Sequence, residues 1–376
     1  MVALAGVAGV GRLTGAGPAG TLHTEEAGQP VTFDEAGSGA WSAPAPSVRP
    51  LSTGWRLVRT PPVSTRERAL STWTGEELLI WGGSHGLRAA ADGAAYRPDI
   101  DQWRPLAPSP LRPRDAAVSA WTGREWILWG GILGDRHLDD GAAYDPGTDS
   151  WRLLPPSPIG AASHALAVWT GREVLVWGGS GGPEGVAYDP VADRWRRLPP
   201  AQSPGFATAA VWTGEEMVVW AFDGAMALDP GTNRWRRLAT PPVTPWMTQA
   251  VVWTGTEMIG VGGATHDALT PAAAALDPRT NRWRTLAAAP EPVDVTGVAA
   301  TWTGRLLVVS RGPSDLQVYD PTRDSWAVMP GISEGRRDDA VAAWTGEEMI
   351  FWGGNDPFVG TPAAREEGFA WRPRAR

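Results

Sequence analysis

The chain has 376 residues, a formal net charge of −8 and no cysteine. The acidic balance argues against nucleic acid, which needs a basic footprint; the lack of Cys excludes disulfides, thiolate metal sites and a thiol nucleophile. Twenty-three tryptophans beside 46 glycines and 35 prolines are the anomaly that any fold has to explain.

Residues 1–50 differ from the rest. MVALAGVAGVGRLTGAGPAG is Ala/Gly-rich and apolar only as far as Val10, too short for a transmembrane helix and without a basic segment before it. Residues 21–50 carry Glu25, Glu26, Asp34, Glu35 and several prolines without apolar periodicity, and read as a tether. This part is either a disordered leader or the remnant of a signal or membrane segment. The second alternative expects an extracytoplasmic or membrane-tethered protein, and a cytoplasmic one stays open. All 33 cations are arginine, which with the Ala, Gly and Pro content suggests a GC-rich coding bias of the kind common in bacteria.

From residue 51 to residue 376 the chain is repetitive. W-T-G occurs at Trp73, Trp121, Trp169, Trp212, Trp253, Trp302 and Trp344. Each closes a short apolar run, strand a. A second run, strand b, ends in Gly-Gly at Gly82, Gly130, Gly178, Gly262 and Gly353. A third, strand c, ends in Tyr/Leu-Asp-Pro at Tyr144, Tyr188, Leu228, Leu276 and Tyr319, with Tyr96-Arg97-Pro98 as a variant. A fourth, strand d, starts at Trp103, Trp151, Trp195, Trp235, Trp283 and Trp326. Short runs rich in Val, Trp and Tyr, punctuated by Gly and Pro, are β-strands, and a fixed period of this length marks a repeat architecture.

The ends of the array close the count. After Trp344 the chain supplies strands a, b and a c strand at Phe369–Trp371 but no d strand, while Trp55-Arg56-Leu57 is a d strand with no blade of its own. An open array leaves two bare sheet edges, a liability that ring closure removes. The expected fold is therefore all-β: a seven-bladed β-propeller with four antiparallel strands per blade, closed by the N-terminal strand joining the C-terminal blade. The tryptophans that recur in strands a, b and d are read as inter-blade packing. The Asp or Asn two residues before strand d (Asp101, Asp149, Asp193, Asn233, Asn281, Asp324) is read as a turn residue tolerant of left-handed backbone.

The Gly-Gly doublet, the Tyr144–Trp151 run and the elements Pro113-Arg114-Asp115 and Arg336-Arg337-Asp338 resemble the kelch family of β-propellers over residues 55–373. Blade 6 is the weakest match. The resemblance implies an interaction scaffold in most cases and an enzyme in some. Galactose oxidase has a propeller of this type, with a copper site that depends on a Cys–Tyr cross-link. With no Cys here and all four tyrosines in strand-c positions, that chemistry is not expected, and neither a metal nor any other cofactor is assigned. The S-x-D-x-G-x-x-W boxes of sialidases, a Ser-His-Asp elbow and a P-loop are absent.

The a–b and c–d turns of a propeller share one face and are nearly identical in every repeat. The d–a and b–c loops share the other face and vary, as loops that carry function do. Arg66, Arg114 and Arg337 sit at one repeat position in neighbouring blades, near Arg68, Asp115 and Asp339. His85 and His137 fall in b–c loops, His164 starts a strand a, and Trp246 lies opposite on an apolar side. These ten residues are the candidate binding site, suited to a polar or anionic small molecule, a glycan or a peptide with one acidic group. No catalytic residue is assigned. The expectation is a monomeric, non-catalytic propeller that binds a protein, peptide or glycan partner on the d–a/b–c face, with no membrane span in the chain. The alternative is a carbohydrate-active enzyme of the isomerase, mutarotase or lyase kind, with its site at the channel mouth.

Overall fold

The computed structural model describes residues 50–52, 54–86, 88–201, 207–221, 224–242, 250–262, 272–291, 297–310, 315–332, 337–355 and 367–373. Trp246, His266 and the leader before residue 50 lie outside them. Blade 1 consists of strands Leu70–Trp73, Leu78–Trp81, Gly93–Arg97 and Gln102–Pro105, paired antiparallel in that order. Blades 2 to 6 repeat the unit over residues 118–153, 166–197, 207–237, 250–285 and 299–330. Blade 7 is built from Val341–Trp344, Met349–Trp352 and Gly368–Trp371 and is completed by Trp55–Val58, with Trp55 opposite Trp371. Each strand a lies beside the strand a of the next blade, from Leu70–Trp73 round to Val341–Trp344 and back. The seven-bladed ring closed by an N-terminal strand is thus the fold. A further strand, Pro50–Ser52, extends blade 7 beyond the expected four.

The core is divided among the blade junctions. Seven apolar clusters each join the facing sides of two adjacent blades. The strand-b tryptophans stack on the strand-d tryptophan of the next blade: Trp81 on Trp151, Trp129 on Trp195, Trp177 on Trp235, Trp220 on Trp283 and Trp352 on Trp103. Each of these strand-d indoles also donates its N–H to a carbonyl of the preceding blade or, for Trp103, of the segment leaving the closing strand.

A polar zip runs outside the core. The arginine after six of the seven strand-d tryptophans forks onto the last Glu of its own blade's a–b turn: Arg104 on Glu77, Arg152 on Glu125, Arg196 on Glu173, Arg236 on Glu216, Arg284 on Glu257 and Arg56 on Glu348. Arg56, Arg104 and Arg152 then reach the Tyr hydroxyl of the next blade, which donates to the turn Asp five residues on. Charge-assisted forks of this kind fix orientation as well as adding stability. The exceptions occur in sets. Where Tyr becomes Leu228 or Leu276, the Asp becomes Asn233 or Asn281, because there is no phenol to donate to a carboxylate. Where the next blade presents Trp371, the Arg is Ala327 and the Glu is Leu306, and Leu306 packs in the same apolar cluster as Trp371. All six turn residues have positive φ, between 47° and 57°, which short Asx side chains accept.

Candidate functional site

The Gly-Gly doublet shapes one mouth of the channel. Gly131 has φ +101°, and a Cβ there would lie 2.8 Å from the Asp115 carbonyl; Gly354 has φ +82° and meets the Asp338 carbonyl at the same distance. The doublet therefore lets the d–a segment cross against its own strand b, where Glu67 bridges to Ser84, Asp115 to Ile132 and Asp338 to Asn355. The same doublet binds the neighbouring blade: Gly83 donates to Arg114 O, Gly131 to Ala162 O and Gly354 to Arg66 O.

One step further along each d–a segment the backbone turns left-handed. Arg68, Ala116, His164 and Asp339 have φ between 50° and 58°, and Gly297 has φ 70°. These are equivalent positions in blades 1, 2, 3, 7 and 6. They are linked from blade to blade: Arg68 N donates to Asp339 O, His164 N to Ala116 O and Asp339 N to Gly297 O. The result is a collar of strained residues around the channel. Non-glycine residues held at positive φ are uncommon and cluster at functional sites.

Six of the ten expected residues gather at this collar. Arg68 pairs with Asp115 at 2.8 Å, and both reach the Ser84 hydroxyl. The Asp339 carboxyl is pushed up to about 6 by burial; Arg68 opposes the shift, and Glu67, Asp338 and Asp115 add to it. Burial also raises Glu67, against Arg68 and His85. Burial lowers His164, with Asp115 opposing and Arg68 and His137 assisting, which favours the neutral ring. The buried Ser163 hydroxyl lies 3.0 Å from both His137 Nδ1 and His164 Nδ1, and the Ser180 hydroxyl is 3.2 Å from His137. His85 is exposed at the rim with Nδ1 3.3 Å from Thr65 O. The mouth thus carries acids and imidazoles from blades 7, 1, 2 and 3.

Arg66, Arg114 and Arg337 are below this surface rather than on it. Arg66 donates to Ser64 O, Gly82 O, Asp92 O and, at 2.7 Å, the Asp92 carboxylate. Arg114 repeats the set with Arg112 O, Gly130 O, Asp140 O and the Asp140 carboxylate, and its side chain is 0% exposed. Arg337 donates to Glu367 O and lies 4.9 Å above the Phe369 ring. Burial would raise Asp92 and Asp140, but the arginine bonds outweigh it and hold both low. Each guanidinium clamps the b–c loop of its own blade. The three arginines on which the expectation of an anionic ligand rested are thus bound within their own blades, and Arg68 at the collar is paired with Asp115. The apolar side expected at Trp246 lies outside the described residues.

No family model matches the sequence, and no curated protein matches it. Among solved structures the chain is similar to a fungal alcohol oxidase of the AA5 family in complex with copper. The TM-score is 0.67 at 14% identity, covering 86% of this chain and 77% of that one. The likeness shows the propeller fold alone, and the kelch resemblance rests on the motif run. Copper–radical chemistry does not fit the residues present. There is no Cys, and all four Tyr hydroxyls are blade-junction donors or acceptors. Among the described residues no three His, Cys, Asp or Glu side chains are grouped to hold a metal ion. No helix among them is long and apolar enough to cross a membrane.

Proposed function

We propose that this protein is a non-catalytic binding propeller of kelch type that receives a peptide or glycan on its d–a/b–c face. The observation that carries this is the convergence of Arg68, Asp115, His164, Asp339, His85 and His137, from four neighbouring blades, at a collar held in left-handed backbone. Function placed on a rigid ring tends to use such loop-borne polar groups. The buried Asp339 carboxyl and the imidazoles favour a ligand with hydroxyls or a basic side chain. The test is capture of glycans and peptides by the full chain and by a variant carrying Asp115→Asn, His137→Ala and His164→Asn. Asn is chosen at 164 because it tolerates positive φ. Loss of capture with an unchanged melting temperature supports the reading, and undiminished capture refutes it.

A second reading has one observation in its favour. The Asp339 carboxyl, pushed up to about 6 by burial, and the His164 imidazole, held below its usual range by burial, are both collar residues able to exchange protons. Isomerase, mutarotase or lyase chemistry on a sugar would use such groups. Turnover of uronic and sialic acids that is abolished by Asp339→Asn supports it; inertness across the panel counts against it.

A further inference from the structure

The opposite mouth of the channel has a different chemistry. Strand a ends there, and six of its seven tryptophans, Trp73, Trp121, Trp169, Trp253, Trp302 and Trp344, line one cavity of about 300 Å³. Each packs against or within the apolar cluster at a blade junction, and all six also border the cavity. The reading of these residues as inter-blade packing is thus half of their role.

Apart from Thr74, whose hydroxyl is held by the a–b turn, the side-chain polar groups that line this cavity make no hydrogen bond to the protein among the described residues. Among the described residues none of the six indole N–H groups donates to a protein atom, whereas Trp103, Trp151, Trp195, Trp235, Trp283 and Trp326 of strand d all do. The hydroxyls of Ser71, Thr72, Ser119 and Thr301 border the same cavity and make no hydrogen bond to the protein either. No charged side chain lines it. The indole N–H groups of Trp126, Trp177, Trp220 and Trp352 are buried without an acceptor among the described residues, whereas these six keep exposed surface and are free to meet a ligand. Six left open around one space, with four hydroxyls between them, describe a site that supplies its donors to something else.

We propose that this tryptophan-ringed mouth is a second binding site and that its ligand is a neutral pyranose at the end of a glycan. A pyranose has C–H faces that bury against indole surface and a rim of hydroxyls that accept from N–H and exchange bonds with Ser and Thr. A purely apolar ligand would strip water from the N–H and hydroxyl groups without replacing it, which disfavours it. An anion or an ammonium would enter a cavity with no counter-charge. A volume near 300 Å³ is at the low end for ligand sites and holds one or two sugar rings. The site is independent of the collar at the other mouth, and variants separate the two.

The test is a titration of the full chain with neutral methyl glycosides and short neutral oligosaccharides, read by tryptophan fluorescence and by calorimetry. Saturable binding that is insensitive to salt is expected. Thr301→Val and Ser119→Ala keep the packing volume and should weaken it by about tenfold, about 1.4 kcal/mol. Trp253→Phe should weaken it further, and Val191→Ser, on an exposed c–d turn outside both mouths, should leave it unchanged. If Trp253→Phe fails to fold, the two hydroxyl variants carry the test. Absence of saturable binding by every neutral saccharide overturns the proposal. So does binding that the hydroxyl variants leave intact, or preferential binding of a quaternary ammonium ion.

Discussion

Removing one hydroxyl, that of Tyr144, tests whether the turn acids are present for the tyrosines. At the junction of blades 1 and 2, Tyr144 donates to Asp149 Oδ1 at 2.6 Å and accepts from Arg104 Nη1 at 3.0 Å. Burial raises the Tyr144 phenol above its usual range, the Asp149 bond adds to this, and Arg104 opposes it. Burial alone would raise Asp149, but the Tyr144 bond, the Ala107 N–H and Arg104 together hold it low. Tyr144→Phe keeps the ring 4.9 Å from Trp151 and deletes only the donor. A hydrogen bond to a charged group contributes about 1.5–3 kcal/mol. The Asp149 side chain is 47% exposed, so water recovers part of this, and we expect a loss of about 1–2 kcal/mol. Asp149→Asn removes the charge that the phenol serves. In the double variant the losses should overlap, leaving a coupling of about 1 kcal/mol. This would reproduce the apolar–Asn pairs of blades 4 and 5. Urea unfolding of the four proteins measures the cycle, and additivity to within about 0.3 kcal/mol would refute the explanation of the paired exceptions.

Three further outcomes follow from the same contacts. Asp339 holds its proton more tightly folded than unfolded, so the folded state binds more protons between about pH 4 and about pH 6 and stability falls as pH rises through that window. Asp339→Asn should therefore stabilise the protein at pH 8 by about 1–2 kcal/mol, with the gain shrinking towards pH 4 in denaturant melts; a gain independent of pH would contradict this. Arg114→Ala strips the clamp from the blade 2 loop and leaves Asp140 without its partner, which should cost about 2–4 kcal/mol and speed proteolysis between residues 131 and 141. Gly179→Ala forces a Cβ onto the Ser163 carbonyl at φ +81°; a loss of about 2 kcal/mol or more is expected by thermal melt.

The fold was legible because each strand is written about seven times, and a pattern that survives repetition outweighs any single ambiguous run. Ring closure was legible for the same reason: Trp55-Arg56-Leu57 matches the one strand missing from blade 7. The zip was also within reach, since the joint exceptions at Leu306, Ala327 and Trp371 stand in the chain. The collar was not, because Arg68, Ala116, His164, Gly297 and Asp339 share a position but no residue type, so a common positive φ does not show in the repeat. Arg66, Arg114 and Arg337 share one position, and shared position signals a common role. Only packing shows that this role is to clamp a loop under the rim. The channel tryptophans were hidden by their own repetition. Strand a is short and apolar on both faces, so period and composition do not separate the side that packs a junction from the side that borders the channel.

The central claim is that ligand recognition lies at the collar of blades 7, 1, 2 and 3. It is tested most directly by presenting one array of glycans and basic peptides to the wild-type chain and to the Asp115→Asn/His137→Ala/His164→Asn variant, matched for melting temperature. The wild type should retain a ligand that the variant loses by at least about tenfold in affinity, about 1.4 kcal/mol. Equal retention by both proteins would place recognition elsewhere on the ring and contradict the account.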